Sequence, residues 1–161
     1  MGILSKLFGA SVKYIYAPVS GTSIPLNQVQ DPAFATGLLG KGIAIKPSDG
    51  KIVAPCDATV DMLFDTAHAV TLISDFGAEI LIHIGLDTVN LKGKFYTAHV
   101  KNGQQVKSGQ LLIEFDLDAI KAEGYDTVTP VVICNSEHFR TISTYTGKPV
   151  SRGDAVIKAS K

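Results

Sequence analysis

Apolar and polar positions alternate along most of this chain, and the alternation is broken every few residues by glycine, proline or asparagine. The segments Ile43–Ile45, Lys51–Val53, Val70–Ile73, Ile80–Leu86, Leu111–Phe115, Val131–Ile133 and Ala155–Ile157 have the length and β-branched content of strands. Turn residues fall between them at Pro18–Gly21, Gly40–Gly42, Pro47–Gly50, Gly93, Asn102–Gly103, Ser108–Gly109 and Gly147–Pro149. Many short strands joined by tight turns predict an all-β fold: an antiparallel β-sandwich or partly closed barrel with a few short helical turns. Two of those helical turns are marked by their ends. Asp31 stands before Pro32 as an N-cap stands before a first-turn proline, with a stop at Gly37, and Asp116–Lys121 is closed by Gly124.

Period two also assigns faces. In Glu79–Asp87 the residues Ile80, Ile82, Ile84 and Leu86 point one way, and Glu79, Leu81, His83, Gly85 and Asp87 point the other. If Phe64–His68 is extended, then Phe64, Thr66 and His68 share a face as well. Two imidazoles are thereby turned outward from apolar segments, a pattern that suits a transferable phosphoryl group or a bound metal. A lone histidine in an apolar strand is equally well a satisfied core residue. Gly85, which leaves open space beside the His83 ring, and Asp87 on the same face favour the functional alternative. Thr66, two residues from His68, is placed to fix the tautomer of that ring if folding brings them together.

The length of 161 residues suits one domain, with residues 17–161 as the folded unit and residues 1–16 as an appendage. On a short amphipathic helix Ile3, Leu4, Leu7 and Phe8 would form one apolar stripe, able to touch a membrane weakly or to dock on the domain. No basic segment precedes a continuous apolar run there, so a secretory signal is not expected. No apolar run approaches the roughly 18 to 20 residues of a spanning helix. Lysine plus arginine (15) balances aspartate plus glutamate (15), so net charge does not select nucleic acid as a partner. Cys56 and Cys134 are far apart and lack metal-type spacing; both read as buried small apolar residues in a reducing cytosol. Ser48–Pro55 and Val100–Leu111 resemble the halves of a biotinyl or lipoyl carrier, but neither methionine adjoins a lysine, so a swinging arm is set aside.

A longer resemblance is carried by Ala17-Pro18-Val19-Ser20-Gly21, Gly42-Ile43-Ala44-Ile45-Lys46-Pro47, Phe64-Asp65-Thr66-Ala67-His68-Ala69 and, above all, the stretch Gly77–Val89 with its core Glu79-Ile80-Leu81-Ile82-His83-Ile84-Gly85-Leu86-Asp87. Glu114-Phe115-Asp116-Leu117 and Thr129-Pro130-Val131-Val132 follow in order. From about Ala17 to Ile157 the chain resembles the glucose-type IIA component of the bacterial phosphoenolpyruvate-dependent sugar phosphotransferase system. That resemblance implies a β-sandwich with a shallow apolar depression around the two histidines. It implies that His83 is phosphorylated by the histidine phosphocarrier protein HPr and passes the group to the IIB cysteine of a sugar permease. His68 would then hydrogen-bond the phosphoryl group, with Thr66 orienting His68. Phe34, Phe64 and Val89 would form an apolar rim that limits hydrolysis and docks partners, and Asp31 and Asp87 beside it would meet partner arginines.

Such a protein needs no metal or other cofactor beyond the covalent phosphoryl group, and it works in the cytoplasm, transiently at the inner face of the membrane. Neutral imidazole is nucleophilic near pH 7, and transfer between histidines is nearly isoenergetic, so positioning and charge stabilisation are what the protein must supply. The chain departs from the family pattern after Gly93, where Lys94-Phe95-Tyr96 replaces a common Glu-Gly-Phe. His99 and His138 match no catalytic position of the family and read as surface or structural residues. One alternative is a regulatory protein whose apolar depression binds targets only while His83 is unphosphorylated, since an added charge of about −1.5 to −2 opposes an apolar contact. The other is zinc on His68 and His83 with a carboxylate. Of the His-x-x-x-Asp and His-x-His patterns of zinc peptidases, His83-Ile84-Gly85-Leu86-Asp87 fits the first, but neither histidine stands in the second, which leaves a zinc shared with a partner's carboxylate.

Overall fold

The computed structural model of the protein describes residues 11–161. In chain order the strands are β1 (Val12–Tyr16), β2 (Gly21–Pro25), β3 (Lys41–Pro47), β4 (Lys51–Val53), β5 (Ala58–Leu63), β6 (Ala69–Ser74) and β7 (Glu79–His83). The second half adds β8 (Tyr96–Ala98), β9 (Gln105–Val106), β10 (Leu111–Phe115), β11 (Thr129–Ile133), β12 (Thr141–Thr144), β13 (Lys148–Val150) and β14 (Ala155–Ser160). Two short helices, α1 (Pro32–Ala35) and α2 (Leu117–Ala122), lie where their caps place them. The Asp31 carboxylate accepts from the Ala33 N–H at 3.0 Å, and that of Asp116 accepts from the Ala119 N–H at 3.1 Å.

An eight-stranded sheet runs β13-β2-β3-β11-β7-β6-β5-β9, and two three-stranded sheets, β1-β14-β12 and β4-β10-β8, complete the sandwich. Every strand pairing is antiparallel, as the short turns require. The main core is packed by alternate residues of the facing sheets, among them Ile15, Ile43, Ile45, Ile80, Ile82 and Ile113. Alternation in β3 and β11 sends Ala44 and Val132 to the opposite face, where they meet Ile24, Val29, Phe34, Leu86 and Val128 in a second, smaller cluster. The large sheet is therefore covered on both faces at its centre. That second cover, closed by α1, forms the ground on which the functional site stands.

Four expectations need correction. Residues 12–16 are not part of an appendage: β1 pairs with β14 from Val12↔Ser160 to Tyr16↔Ala155, and Ile15 is wholly buried. The Val-Lys-Tyr-Ile-Tyr run is a strand by composition, and its exposed Val12 and Tyr14 alternate with that buried isoleucine. The apolar stripe of Ile3, Leu4, Leu7 and Phe8 lies outside the described residues. Phe64–His68 is not extended but forms the loop between β5 and β6, with Ala67 in the left-handed region at φ 55°. Strand β7 stops at His83, and Gly85 at φ 86° turns the chain, so Leu86 packs in the second cluster and not beside Ile84 in the main core. Finally, Cys56 is buried as expected, but Cys134, just past the end of β11, is exposed. Among the described residues no helix is long and apolar enough to cross a membrane.

Candidate functional site

The site is built where two antiparallel neighbours end. His83 is the last residue of β7 and lies opposite Ala69, the first residue of β6, so His68 sits just outside the ladder beside it. The Ile84 N–H donates to the His68 carbonyl at 2.7 Å and fixes the two segments against one another. The imidazole centroids are 5.0 Å apart with ring planes at 84°. Phe34 lies 5.4 Å from His83 on one side and Phe64 lies 5.4 Å from His68 on the other, giving a row of four rings.

Each imidazole is held at Nδ1. His83 Nδ1 lies 2.7 Å from the Gly85 carbonyl oxygen, which can only accept, so Nδ1 carries the proton and Nε2 keeps its lone pair. His68 Nδ1 lies 2.5 Å from Thr66 Oγ1, and the loop that replaces the expected strand is what delivers this contact. Gly85 serves differently from the open space read in the sequence. A Cβ there would meet Thr88 Cγ2 at 2.5 Å and the Asp126 carbonyl oxygen at 3.0 Å, so the glycine permits a crowded turn that aims its own carbonyl at His83.

Burial sets the protonation of both rings. Desolvation, helped by the neighbouring His83, lowers the pKa of His68 to about 4. Desolvation lowers that of His83 too, opposed by the Gly85 hydrogen bond and by the negative charges of Asp31 and Asp87. Both rings are neutral near pH 7. Asp31 and Asp87 also border a cleft of about 800 Å³, with Asp126 and Lys46 on its other walls.

The expected rim is only partly surface. Val89, on the single turn Thr88–Leu91, is 50% exposed and Phe64 is 37% exposed, whereas Phe34 is 3% exposed. Phe34 is thus a wall behind His83, anchored in the second cluster, and not a contact for partners. Exposed Leu38 and Leu39 follow α1 between Gly37 and Gly40, and the sequence reading passed over them. An apolar pair between two glycines, outside any alternating run, was the available signal. His99 pairs with Glu114 at 2.8 Å and His138 lies 3.5 Å from Asn135 Nδ2, both on the protein surface and apart from the row of rings. Among the described residues no group of three or more His, Cys, Asp or Glu side chains is placed to hold a metal ion. His68 and His83 offer two nitrogens, so zinc there would need ligands from elsewhere.

A family model for the phosphoenolpyruvate-dependent sugar phosphotransferase system, EIIA 1, matches residues 13–139. The chain belongs to this family. Residues 13–139 are thus a IIA domain of the sugar phosphotransferase system by sequence. The chain is 42% identical over 143 residues to the glucose-specific EIIA component of Oceanobacillus iheyensis, covering 89% of this chain and 87% of that protein. It is 50% identical over 139 residues to the beta-glucoside-specific EIIBCA component of Dickeya chrysanthemi, covering 86% of this chain but 21% of that protein. The chain thus spans about a fifth of the length of such EIIBCA relatives. The solved structure of glucose permease IIA from Mycoplasma capricolum superposes with a TM-score of 0.84 at 31% identity, over 92% of this chain and 96% of that one. The all-β sandwich expected from the strand rhythm is the fold of this family. The match begins within β1, in agreement with the corrected domain boundary.

Proposed function

We propose that His83 Nε2 takes a phosphoryl group from phosphorylated HPr and passes it to the IIB cysteine of a glucose-type sugar permease. The observation that carries this reading is the hydrogen bond from His83 Nδ1 to the Gly85 carbonyl, which leaves a neutral imidazole with its lone pair on Nε2. In the first step an Nε2–P bond forms as the donor's N–P bond breaks, and in the second an S–P bond forms as the Nε2–P bond breaks. Nδ1 keeps its proton throughout, so the phosphorylated ring is cationic and departs as a neutral imidazole. The Gly85 carbonyl, Asp31 and Asp87 stabilise that positive charge.

His68 supplies the complementary hydrogen-bond donor. A Thr66 hydroxyl that donates to His68 Nδ1 leaves the His68 proton on Nε2, where it donates to a phosphoryl oxygen as negative charge gathers. Exposed Val89, Phe64 and Leu38 give partners an apolar landing, and Asp31 and Asp87 offer carboxylates to their arginines. Acceptors of glucose type are supported by the relatives, whose names specify glucose and beta-glucosides.

The test is transfer of labelled phosphate from phosphoenolpyruvate through enzyme I and HPr. Wild type and His68→Ala take acid-labile label, and His83→Ala takes none; His68→Ala passes it on to a IIB domain at a much reduced rate. Label on His83→Ala equal to wild type would sink the assignment.

A further inference from the structure

The carbonyl that fixes the His83 tautomer belongs to a turn that is itself held by side chains not among the expected site residues. The Ile84 carbonyl oxygen, between the phosphoacceptor and Gly85, accepts two hydrogen bonds: from Thr88 Oγ1 at 2.7 Å and from Tyr96 Oη at 2.9 Å. Both donors are buried, Thr88 completely and Tyr96 to 9% exposure. The Tyr96 ring is kept in place by stacking on Phe115, with centroids 6.2 Å apart. The other end of the same peptide is tied as well, because the Gly85 N–H donates to the Val128 carbonyl at 3.0 Å. In the next peptide the Leu86 N–H donates to the Asp126 carbonyl at 2.9 Å, and its carbonyl is the Gly85 oxygen that receives His83 Nδ1–H.

Gly85 has no side chain to restrict it, so its φ of 86° is defined only by the two peptide planes on either side. Fixing the first plane fixes where the second points. The Ile84 carbonyl oxygen has two lone pairs, and the two buried hydroxyls occupy both, so this peptide is held from its acceptor side by two separate segments of the chain.

We infer that Thr88 and Tyr96 are positioning residues for phosphoryl transfer: their hydroxyls clamp the Ile84 carbonyl and thereby hold the Gly85 carbonyl against His83 Nδ1. The inference rests on His83 being the phosphoacceptor. The clamp keeps the lone pair on Nε2. Without it the turn is held only through the Gly85 and Leu86 N–H groups, the Gly85 carbonyl loosens from Nδ1, the ring populates the tautomer protonated at Nε2, and attack through Nδ1 becomes accessible. Having two donors makes the device redundant, because loss of one hydroxyl leaves the carbonyl paired while loss of both strands it in the interior.

The test uses the full chain as wild type, Thr88→Val, Thr88→Ser, Tyr96→Phe and the Thr88→Val/Tyr96→Phe double variant. Single-turnover transfer from phospho-HPr is read beside the nitrogen-15 spectrum of His83 and the phosphorus-31 signature of the N–P bond. Each single hydroxyl loss slows transfer about twofold to fivefold and the double loss about tenfold to a hundredfold, more than the product of the singles. KM for phospho-HPr stays level, and Thr88→Ser, which keeps the hydroxyl, matches wild type. The double variant shows mixed His83 tautomers and a fraction of phosphate on Nδ1. A single Nδ1–H tautomer with unchanged transfer per folded molecule in the double variant overturns the clamp. Should the double variant not fold, Thr88→Val with Thr88→Ser as its rescue decides by the same readouts. Wild type that takes no label from proven donors removes the phosphoacceptor reading instead, and the tautomer spectra then judge the clamp on their own.

Discussion

His68 is 3% exposed, and desolvation together with the adjacent His83 brings its pKa from 6.5 down to about 4. The consequence for stability has a definite sign. Below pH 6.5 the unfolded chain takes a proton on this residue while the folded chain does not, so the unfolded state is favoured progressively until the folded ring also titrates near pH 4. Stability present above pH 6.5 is therefore lost as pH falls through that window, by about 2 to 3 kcal/mol from this residue. His83, lowered for the same reason, adds a loss of the same sign. Urea titrations at pH 7, 6, 5 and 4 should show the decline, and His68→Asn should flatten much of it. Equal slopes for the two proteins would mean that His68 is not held neutral by the fold. In the proposed transfer the same depression keeps His68 uncharged, so that a proton donor is present without the repulsion of a second cation beside the phosphorylated ring.

At the scale of elements, the site depends on a four-residue helix and on the ends of two strands. Helix α1 exists because Asp31 caps it and Pro32 starts it, and its task is to set Phe34 over His83 and into the second cluster. Phe34→Ala should cost about 3 to 5 kcal/mol by the cavity it leaves. It should also raise the pKa of His83 toward 6.5, since the desolvation that Phe34 supplies goes with it. Nuclear magnetic resonance titration of the ring checks the second outcome, together with faster hydrolysis of the phosphohistidine once water reaches it. An unmoved His83 titration would show that Phe34 is only filling space. Helix α1 was legible in the sequence because caps are local chemistry, and β7 was legible because four apolar residues alternate. The loop Phe64–His68 was not. Its residues alternate as a strand does, and only the pairing of the Phe64 N–H and the Ala69 carbonyl across a tight turn removes them from the ladder. Leu86 misled for a related reason: period two holds only while φ stays negative, and the chain reverses at Gly85. The meeting of His68 with His83 joins residues fifteen apart in sequence through strand register, which no single segment encodes. Thr88 and Tyr96 were invisible for the same cause, since their shared partner is a backbone oxygen.

For the whole molecule, the sandwich puts the main core on one face of the large sheet and His83 on the other, with Tyr96 reaching from that core to the Gly85 turn. The inner face of the eight-stranded sheet holds the main core, to which the β1-β14-β12 sheet contributes Ile15, Val156, Ile157 and Ala159. The outer face holds the second cluster, with His83 and Phe34 upon it. Strand β1 therefore belongs to the stability layer even though sequence reading placed it outside the domain. A chain shortened to begin at Ala17 should lose the five-residue pairing with β14 and the burial of Ile15, which alone is about 2 to 3 kcal/mol. It also strips one edge from β14, leaving that strand paired only with the short β12. Thermal unfolding of the shortened chain against the full one should show a drop of about 5 °C or more. Phosphoryl transfer per folded molecule should be unchanged, because the row of four rings and the Gly85 turn are built from α1, β7 and the loops beside them, not from that sheet. Equal melting temperatures would return residues 12–16 to the status of an appendage. Transfer lost out of proportion to folding would instead show that the two faces are coupled through the large sheet, with β3 as the connection, since it lies against both β12 and β14 and carries Ala44 into the second cluster.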